Sequence, residues 1–241
     1  RDTYSYMWPR DGAFVASALI KAGYAEVVRR FFFLCHQIIT PYGYFLHKYG
    51  PDGSVGSSWH PWWRDGKHEL PIQEDETALV LWALWLFFEK FHDLEFIKPL
   101  YRGLIVRAAD FLVSFRDPTT KLPLPSYDLW EERHGVHTYT VATVVAGLRA
   151  AANFTRAFGE VELAAKYRDT ADEIKQAMQV HLFHRGLNRF ARNAQPNPAG
   201  GYTLDMTIDA SLVAIWYLGV FDTRDPLVVS TMQAIRDRLW V

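Results

Sequence analysis

Four stretches of this chain read as helices that are apolar or small on nearly every side, and each is followed by a helix that is apolar on one face only. The first kind begins at Pro9, Asp75, Tyr139 and Met206, at intervals of roughly 65 residues, the scale of a repeated helical hairpin with long loops. Their amphipathic partners begin at Ala25, Leu94, Val161 and Pro226. A helix without a polar face needs burial on all sides, whereas an amphipathic one needs water along one. Two concentric rings of alternating helices meet both demands. They also aim every inner helix N-terminus at the same end of the molecule. The pattern predicts an all-α chain, a single domain over residues 1–241, and excludes a parallel sheet.

The punctuation fits. Pro9 suits a first turn and Gly23 a stop, which sets helices at 9–23 and 25–39. Residues 42–49 alternate enough for a short strand or hairpin arm. A long loop at 50–70 carries Trp59, His60, Trp62 and Trp63. Further helices are predicted at 75–91, 94–116 (with Pro99 in its first turns), 139–158, 161–180, 206–218 and 226–239. Residues 183–190 read as a small hairpin, and 193–201 as a loop rich in Pro, Gly and Asn.

Composition removes several function classes. The 241 residues are 49% hydrophobic and include nine Trp, ample for a core and too aromatic for a disordered chain. Twenty-six basic and 27 acidic residues are interspersed to a net charge of -1, so neither a nucleic-acid face nor a membrane-surface patch is expected. The longest apolar run, 78–88, is too short to span a bilayer. Lone Cys35, among Phe and Leu, excludes a disulfide framework and reads as a buried thiol. The chain opens on Arg1 without Met and reads as a piece of a longer protein, expected in the cytoplasm rather than secreted.

The double-ring geometry gathers acids. The heads of the inner helices carry Trp8-Pro9-Arg10-Asp11, Gln73-Glu74-Asp75-Glu76, Tyr127-Asp128-Leu129-Trp130-Glu131-Glu132, and Asp205 with Asp209. The third cluster follows two prolines, Pro123 and Pro125, which forbid a helix, and precedes a helical apolar pattern. Its carboxylates therefore sit on a loop feeding a helix N-terminus. A rim of carboxylates, Arg and Trp suits polyhydroxylated rings, since indole faces stack on sugar C–H surfaces while charged groups bind hydroxyls. Two carboxylates can cleave a glycosidic bond. Each cluster also has a structural reading: Arg10 and Asp11 as an exposed ion pair, Glu74 to Glu76 and Glu131 with Glu132 as first-turn acids, Asp205 and Asp209 as a cap and a hydrogen-bonding acid. No His pair has metal-ligand spacing with supporting Cys or Asp, and neither a metal nor another cofactor is expected.

Taken together, Tyr6-Met7-Trp8-Pro9-Arg10-Asp11, Pro71-Ile72-Gln73-Glu74-Asp75-Glu76-Thr77-Ala78-Leu79 and Ser126-Tyr127-Asp128-Leu129-Trp130-Glu131-Glu132 resemble glycoside hydrolase family 15, the glucoamylase and glucodextranase family, in its bacterial and archaeal form. The likeness runs from Tyr6 to about residue 190 and more weakly beyond. It implies an (α/α)6 barrel of the six-hairpin glycosidase type, of whose twelve helices about eight are present here. It implies release of β-glucose from non-reducing ends of an α-glucan or oligosaccharide, with inversion. It implies Glu131 as the general acid, with Glu132, Asp128, Arg10 and Asp11 binding the glucosyl unit. Trp8, Trp130, Asp75 and Trp59 complete the candidate binding set. Fungal members carry a Trp shortly before the second inner helix, where this chain has His68-Glu69-Leu70; Trp59, Trp62 and Trp63 are the candidate substitutes. The family's general base comes from near the last inner helices and is expected beyond residue 241, so the remaining parts of the parent chain are expected partners and the segment alone is expected to be inactive.

Three functions compete: an exo-acting α-glucoside hydrolase on glucoamylase-type or trehalose-like substrates, a non-catalytic carbohydrate-binding or regulatory barrel, and a terpene cyclase. Arg10 and the loop carboxylates suit sugar better than a carbocation, which needs aromatic walls and few hydroxyl binders.

Overall fold

The computed structural model describes residues 5–58, 63–64, 66–198 and 200–240. Helix α1 (Pro9–Ala22) ends at Gly23, whose φ of 89° turns the chain into α2 (Ala25–Ile38). A two-residue hairpin, β1 (Trp63–Arg64) and β2 (Lys67–His68), precedes α3 (Glu74–Phe91). Then come α4 (Leu94–Leu100), a π-helical turn at Tyr101–Val106 and α5 (Arg107–Ser114). Strands β3 (Ser126–Tyr127) and β4 (His134–His137) flank the central acidic turn, and β4 runs without a break into α6 (Thr138–Ala157). After α7 (Val161–His181) follow the hairpin β5 (Phe183–His184) and β6 (Arg189–Phe190), then β7 (Asn193–Pro196) and β8 (Tyr202–Asp205). A 3-10 turn at Ala210–Val213, α8 (Ala214–Tyr217) and α9 (Pro226–Leu239) close the chain.

Burial follows the two-ring logic. Every residue of α6 from Thr138 to Leu148 is buried, as is every residue of α3 from Glu74 to Leu81. The partners bury a stripe: Ala164, Tyr167, Ala171, Ile174 and Met178 on α7, and only Val28, Phe32 and Cys35 on α2. Helix α3 packs between α1 and α6, and α6 also packs on α7 and α8. The α3–α6 contact is close enough that a Cβ on Gly147 would come within 2.7 Å of the Ala78 carbonyl oxygen. Trp85 meets Phe154 edge-on at 4.9 Å across the same interface. Helix α1 departs from the expectation. Asp11, Val15, Ala18 and Ala22 form an exposed stripe, with Val15 59% exposed, because no described element packs on that side.

Four sequence expectations are corrected. Residues 94–116 form no continuous α-helix: Pro99 has no N–H for the Glu95 carbonyl, and the ladder re-registers through the π-helical turn. Residues 42–49 form only isolated bridges, Leu46 with Ile72 and Tyr49 with Met7 and Val55. Residues 193–201 are not all loop, since β7 lies within them. The order β3-β4-β7-β8 makes a four-stranded antiparallel sheet, with Ser126 opposite Gly135, His137 opposite Asn193 and Asn193 opposite Asp205. Finally, the helix expected at 206–218 shrinks to residues 210–217. Asp205 and Asp209 accept the N–H groups of Thr207 (2.9 Å) and Ser211 (2.8 Å), and Asp209 is extended at φ -141°, so these side chains supply turns where a helix would have begun.

Candidate active site

The site is assembled around Arg10. Antiparallel bridging pins the approach to α1: Met7 N–H donates to the Tyr49 carbonyl at 2.8 Å and Tyr49 N–H returns the bond at 2.9 Å. Pro9 then starts the helix, and Arg10 is buried in its first turn. Its Nη1 lies 3.1 Å from Asp75 Oδ2 and 3.2 Å from Glu76 Oε1, while Nη2 is 3.4 Å from Glu131 Oε1 and Nε 3.6 Å from Asp11 Oδ2. The Arg10 backbone N–H also donates to Glu76 Oε2. One guanidinium thus ties α1 to the head of α3 and to the acidic turn.

Asp75 and Glu76 are fully buried, and a buried carboxylate is costly without a partner. Burial pushes both carboxyls up, and Arg10 opposes it. Burial alone would lower the guanidinium, but Glu76 and Asp75 outweigh it and hold Arg10 above its ordinary range. Glu74, beside them, is pushed up to about 8 by burial, against the Ser126 hydroxyl. Tyr139, in the first turn of α6, shares this field: burial, then the Asp75 charge, raises its hydroxyl. The heads of α1, α3 and α6 therefore converge, as the double ring requires.

The acidic turn is built by Asp128. Its Oδ1 accepts the N–H groups of Glu132 (2.8 Å) and Arg133 (3.2 Å), and its carbonyl accepts the Glu131 N–H at 2.8 Å and the Gln73 amide at 2.9 Å. Glu131 takes a left-handed backbone, φ 57°, which a non-glycine residue adopts only where its surroundings hold it. The three side chains at the tip bind different groups. Glu131, with its side chain 9% exposed, accepts the Trp8 indole N–H on Oε1 at 2.9 Å. Glu132 is exposed, 3.4 Å from Arg133. Trp130 crosses to Asp209, donating its indole N–H to Oδ2 at 3.2 Å.

Of the residues singled out in the sequence, Trp8, Arg10, Asp11, Asp75 and Glu131 come together. Asp75 reaches the others only through Arg10, and Asp128 lies beneath the turn. Trp59 and Trp62 fall outside the described residues; Trp63 is exposed and meets His68 edge-on at 5.7 Å. At the rim Glu69 holds His134 at 2.9 Å and Arg64 at 2.7 Å, and Arg64 donates to the Tyr127 hydroxyl at 2.9 Å. This joins β1–β2 to the acidic hairpin.

Two residues at the site carried no sequence signal. Lys48 is buried with its ammonium 4.8 Å from the Tyr6 ring centre and 5.6 Å from that of Trp8. Burial lowers it, opposed by the Glu131 charge. Arg192, just ahead of β7, faces Asp205 and Asp209. Glu76 did stand within a quoted cluster, but only the fold distinguishes it from its neighbours. Chemically, the site offers a carboxyl steered by an indole and a guanidinium, next to an exposed acid and an exposed indole.

Comparison with known proteins supplies the context. The model of the glycosyl hydrolases family 15 matches residues 62–241. An uncharacterized glycosyl hydrolase of Methanocaldococcus jannaschii is 29% identical over 234 residues, covering 96% of this chain and 34% of that protein. A glucoamylase of a Clostridium species is 24% identical over 249 residues, covering 96% of this chain and 32% of that protein. Among solved structures, a bacterial glucoamylase complexed with acarbose superposes with a TM-score of 0.75 at 21% identity, over 99% of this chain and 34% of that one. The fold is thus the six-hairpin α/α barrel in part. The chain belongs to glycosyl hydrolases family 15, and it spans about a third of the length of the curated relatives it matches.

Proposed function

We propose that the protein is an exo-acting, inverting α-glucosidase of the glucoamylase type, releasing β-glucose from non-reducing ends of α-glucans, with Glu131 as the general acid. The observation that carries this reading is the setting of Glu131, whose Oε1 is shared between the Trp8 indole N–H and the Arg10 guanidinium while its neighbours face solvent. An acid that must deliver a proton to one glycosidic oxygen needs its carboxyl fixed in direction. Arg10 and Asp11 bind hydroxyls of the innermost glucosyl ring. Asp75 and Glu76 fix Arg10 from behind, and Asp128 holds the turn. Inversion calls for a second carboxylate about 6.5–9.5 Å from the first, with water between; that base lies outside these 241 residues.

The test is Glu131→Gln in the full-length protein, assayed on maltose and trehalose with the product anomer followed by NMR. Turnover should fall by about 10²–10⁴-fold, and wild type should yield β-glucose from maltose. A Glu131→Gln variant that keeps most of its turnover, while Glu132→Gln loses it, would reverse the assignment of the acid. Cleavage of trehalose in preference to maltose would redirect the substrate.

A further inference from the structure

The geometry points to Asp209 as a positioning residue that holds the Trp130 indole as a stacking platform for the sugar ring on the leaving-group side of Glu131. The inference rests on the reading of this site as an α-glucoside site and adds to it the neighbouring subsite.

Trp130 and Glu131 are adjacent, Glu131 with a left-handed backbone, yet their side chains bind groups on different segments. Glu131 goes to Trp8 and Arg10 on α1. Trp130 goes to Asp209, 79 residues away in sequence. The residue is 57% exposed, although its N–H is bound at 3.2 Å by a carboxylate whose side chain is only 11% exposed. The carboxylate is fixed in turn. Its second oxygen accepts the Ser211 N–H at 2.8 Å, and Arg192 Nη1 stands 3.9 Å behind it. Arg192 is buried, gives its Nε to Asp205 at 3.0 Å and accepts the Thr138 N–H on its carbonyl at 3.1 Å. The anchor thus runs from the head of α6 to an indole in water.

An exposed indole left to itself samples several rotamers. One that is tied by its N–H keeps its exposed surface in a single orientation, so the ordering cost of stacking is met before the ligand arrives. The polar groups Arg10 and Asp11 lie on the α1 side of the Glu131 carboxyl and suit a hydroxyl-rich terminal ring. The Trp130 indole is tied instead to Asp209, in the segment that leads into α8. A general acid protonates the oxygen between the terminal ring and the next one, so the next ring is the one that meets Trp130.

The test is calorimetric titration of the full-length protein with two non-hydrolysed probes, the oligosaccharide analogue acarbose and the single-ring imino sugar 1-deoxynojirimycin. Asp209→Ser keeps an oxygen that caps the Ser211 N–H and withdraws the one that reaches Trp130. It should weaken acarbose about five- to tenfold, the worth of one hydrogen bond, and leave 1-deoxynojirimycin within about twofold. Trp130→Phe keeps a ring but no N–H and should give the same selective loss. The double variant should lose no more than either single one, because both remove the same bond. A parallel loss of both probes in Asp209→Ser would reduce Asp209 to a structural role, and an undiminished acarbose affinity in Trp130→Phe would overturn the platform even if Asp209→Ser failed to fold. An Asp209→Ser effect that persists in the Trp130→Phe background would overturn the coupling. A wild type that binds both probes but hydrolyses no maltose would sink the catalytic reading and leave the platform standing. One that binds neither probe would sink both.

Discussion

Arg10 is the residue on which the interior of the site depends. It is the cation that Asp75 and Glu76 share, and both are sealed from water. Removing one partner of a buried ionic cluster leaves uncompensated charge, so Arg10→Met should destabilise the chain by about 3–5 kcal/mol in urea unfolding. A loss below about 1 kcal/mol would mean that the two acids are held neutral without it. Glu74 gives a prediction of opposite character. Its carboxyl is pushed from an ordinary 4.5 to about 8 by burial, so across that interval the folded chain keeps a proton that the unfolded chain releases. Stability therefore falls as pH rises from 4.5 to 8, by up to about 1.4 kcal/mol per pH unit for such a group. Asp75 and Glu76, also raised by burial, act in the same direction. Urea midpoints at pH 5 and pH 8 measure this, and Glu74→Gln should flatten part of the slope; a midpoint that rises with pH would contradict the burial of Glu74 as a neutral group.

At the scale of elements, most of the helices were legible because their apolar periodicity is local. Helix α9 runs over Pro226–Leu239, the predicted 226–239, since Asp225 caps the Leu227 N–H at 2.9 Å and Pro226 occupies the first position. Residues 193–196 were hidden because Asn, Gln and Pro disfavour strands locally, and only pairing with β4 and β8 holds them extended. The contact of α3 with α6 depends on the bare Cα of Gly147. Gly147→Ala would add a methyl against the Ala78 backbone, which cannot move aside as a side chain would. We expect a destabilisation of about 1–3 kcal/mol, read from the thermal or urea midpoint. A neutral or stabilising result would mean that the two inner helices can slide apart freely.

At the scale of the molecule, four inner–outer pairs make part of a ring. Three inner heads meet at Arg10, and the fourth contributes Asp209 through Trp130. Val15 and its neighbours along α1 leave one inner face open to water. We expect these 241 residues, expressed alone, to release no glucose from maltose or soluble starch and to self-associate by light scattering through that face. Within the chain, Asp75 is sealed behind Arg10, and Asp209 is committed to Trp130 and Ser211. Turnover by the segment comparable to that of the full-length protein, abolished by Glu131→Gln, would mean that another carboxylate within the chain is the base, with Asp75 and Asp209 the first to test.

The buried character of α3 and α6, the one-sided burial of α2 and α7, the bounds of α9 and the cluster that holds Glu131 were legible in the sequence. Each of these rests on short-range pattern: period, caps, proline and a contiguous motif. Tertiary structure decided what each acid does. Glu74, Asp75 and Glu76 are equally buried, yet only Asp75 and Glu76 pair with Arg10, and Glu131 is held by Trp8 and Arg10 while its neighbour Glu132 stands in water. A fully buried carboxylate, one pinned by an indole and one in water are the same residue type in the sequence. They are told apart only by which distant groups the fold brings within hydrogen-bond reach. Lys48, Arg192 and the Trp130–Asp209 bond belong to that second category, because each depends on contacts between segments that no local period connects.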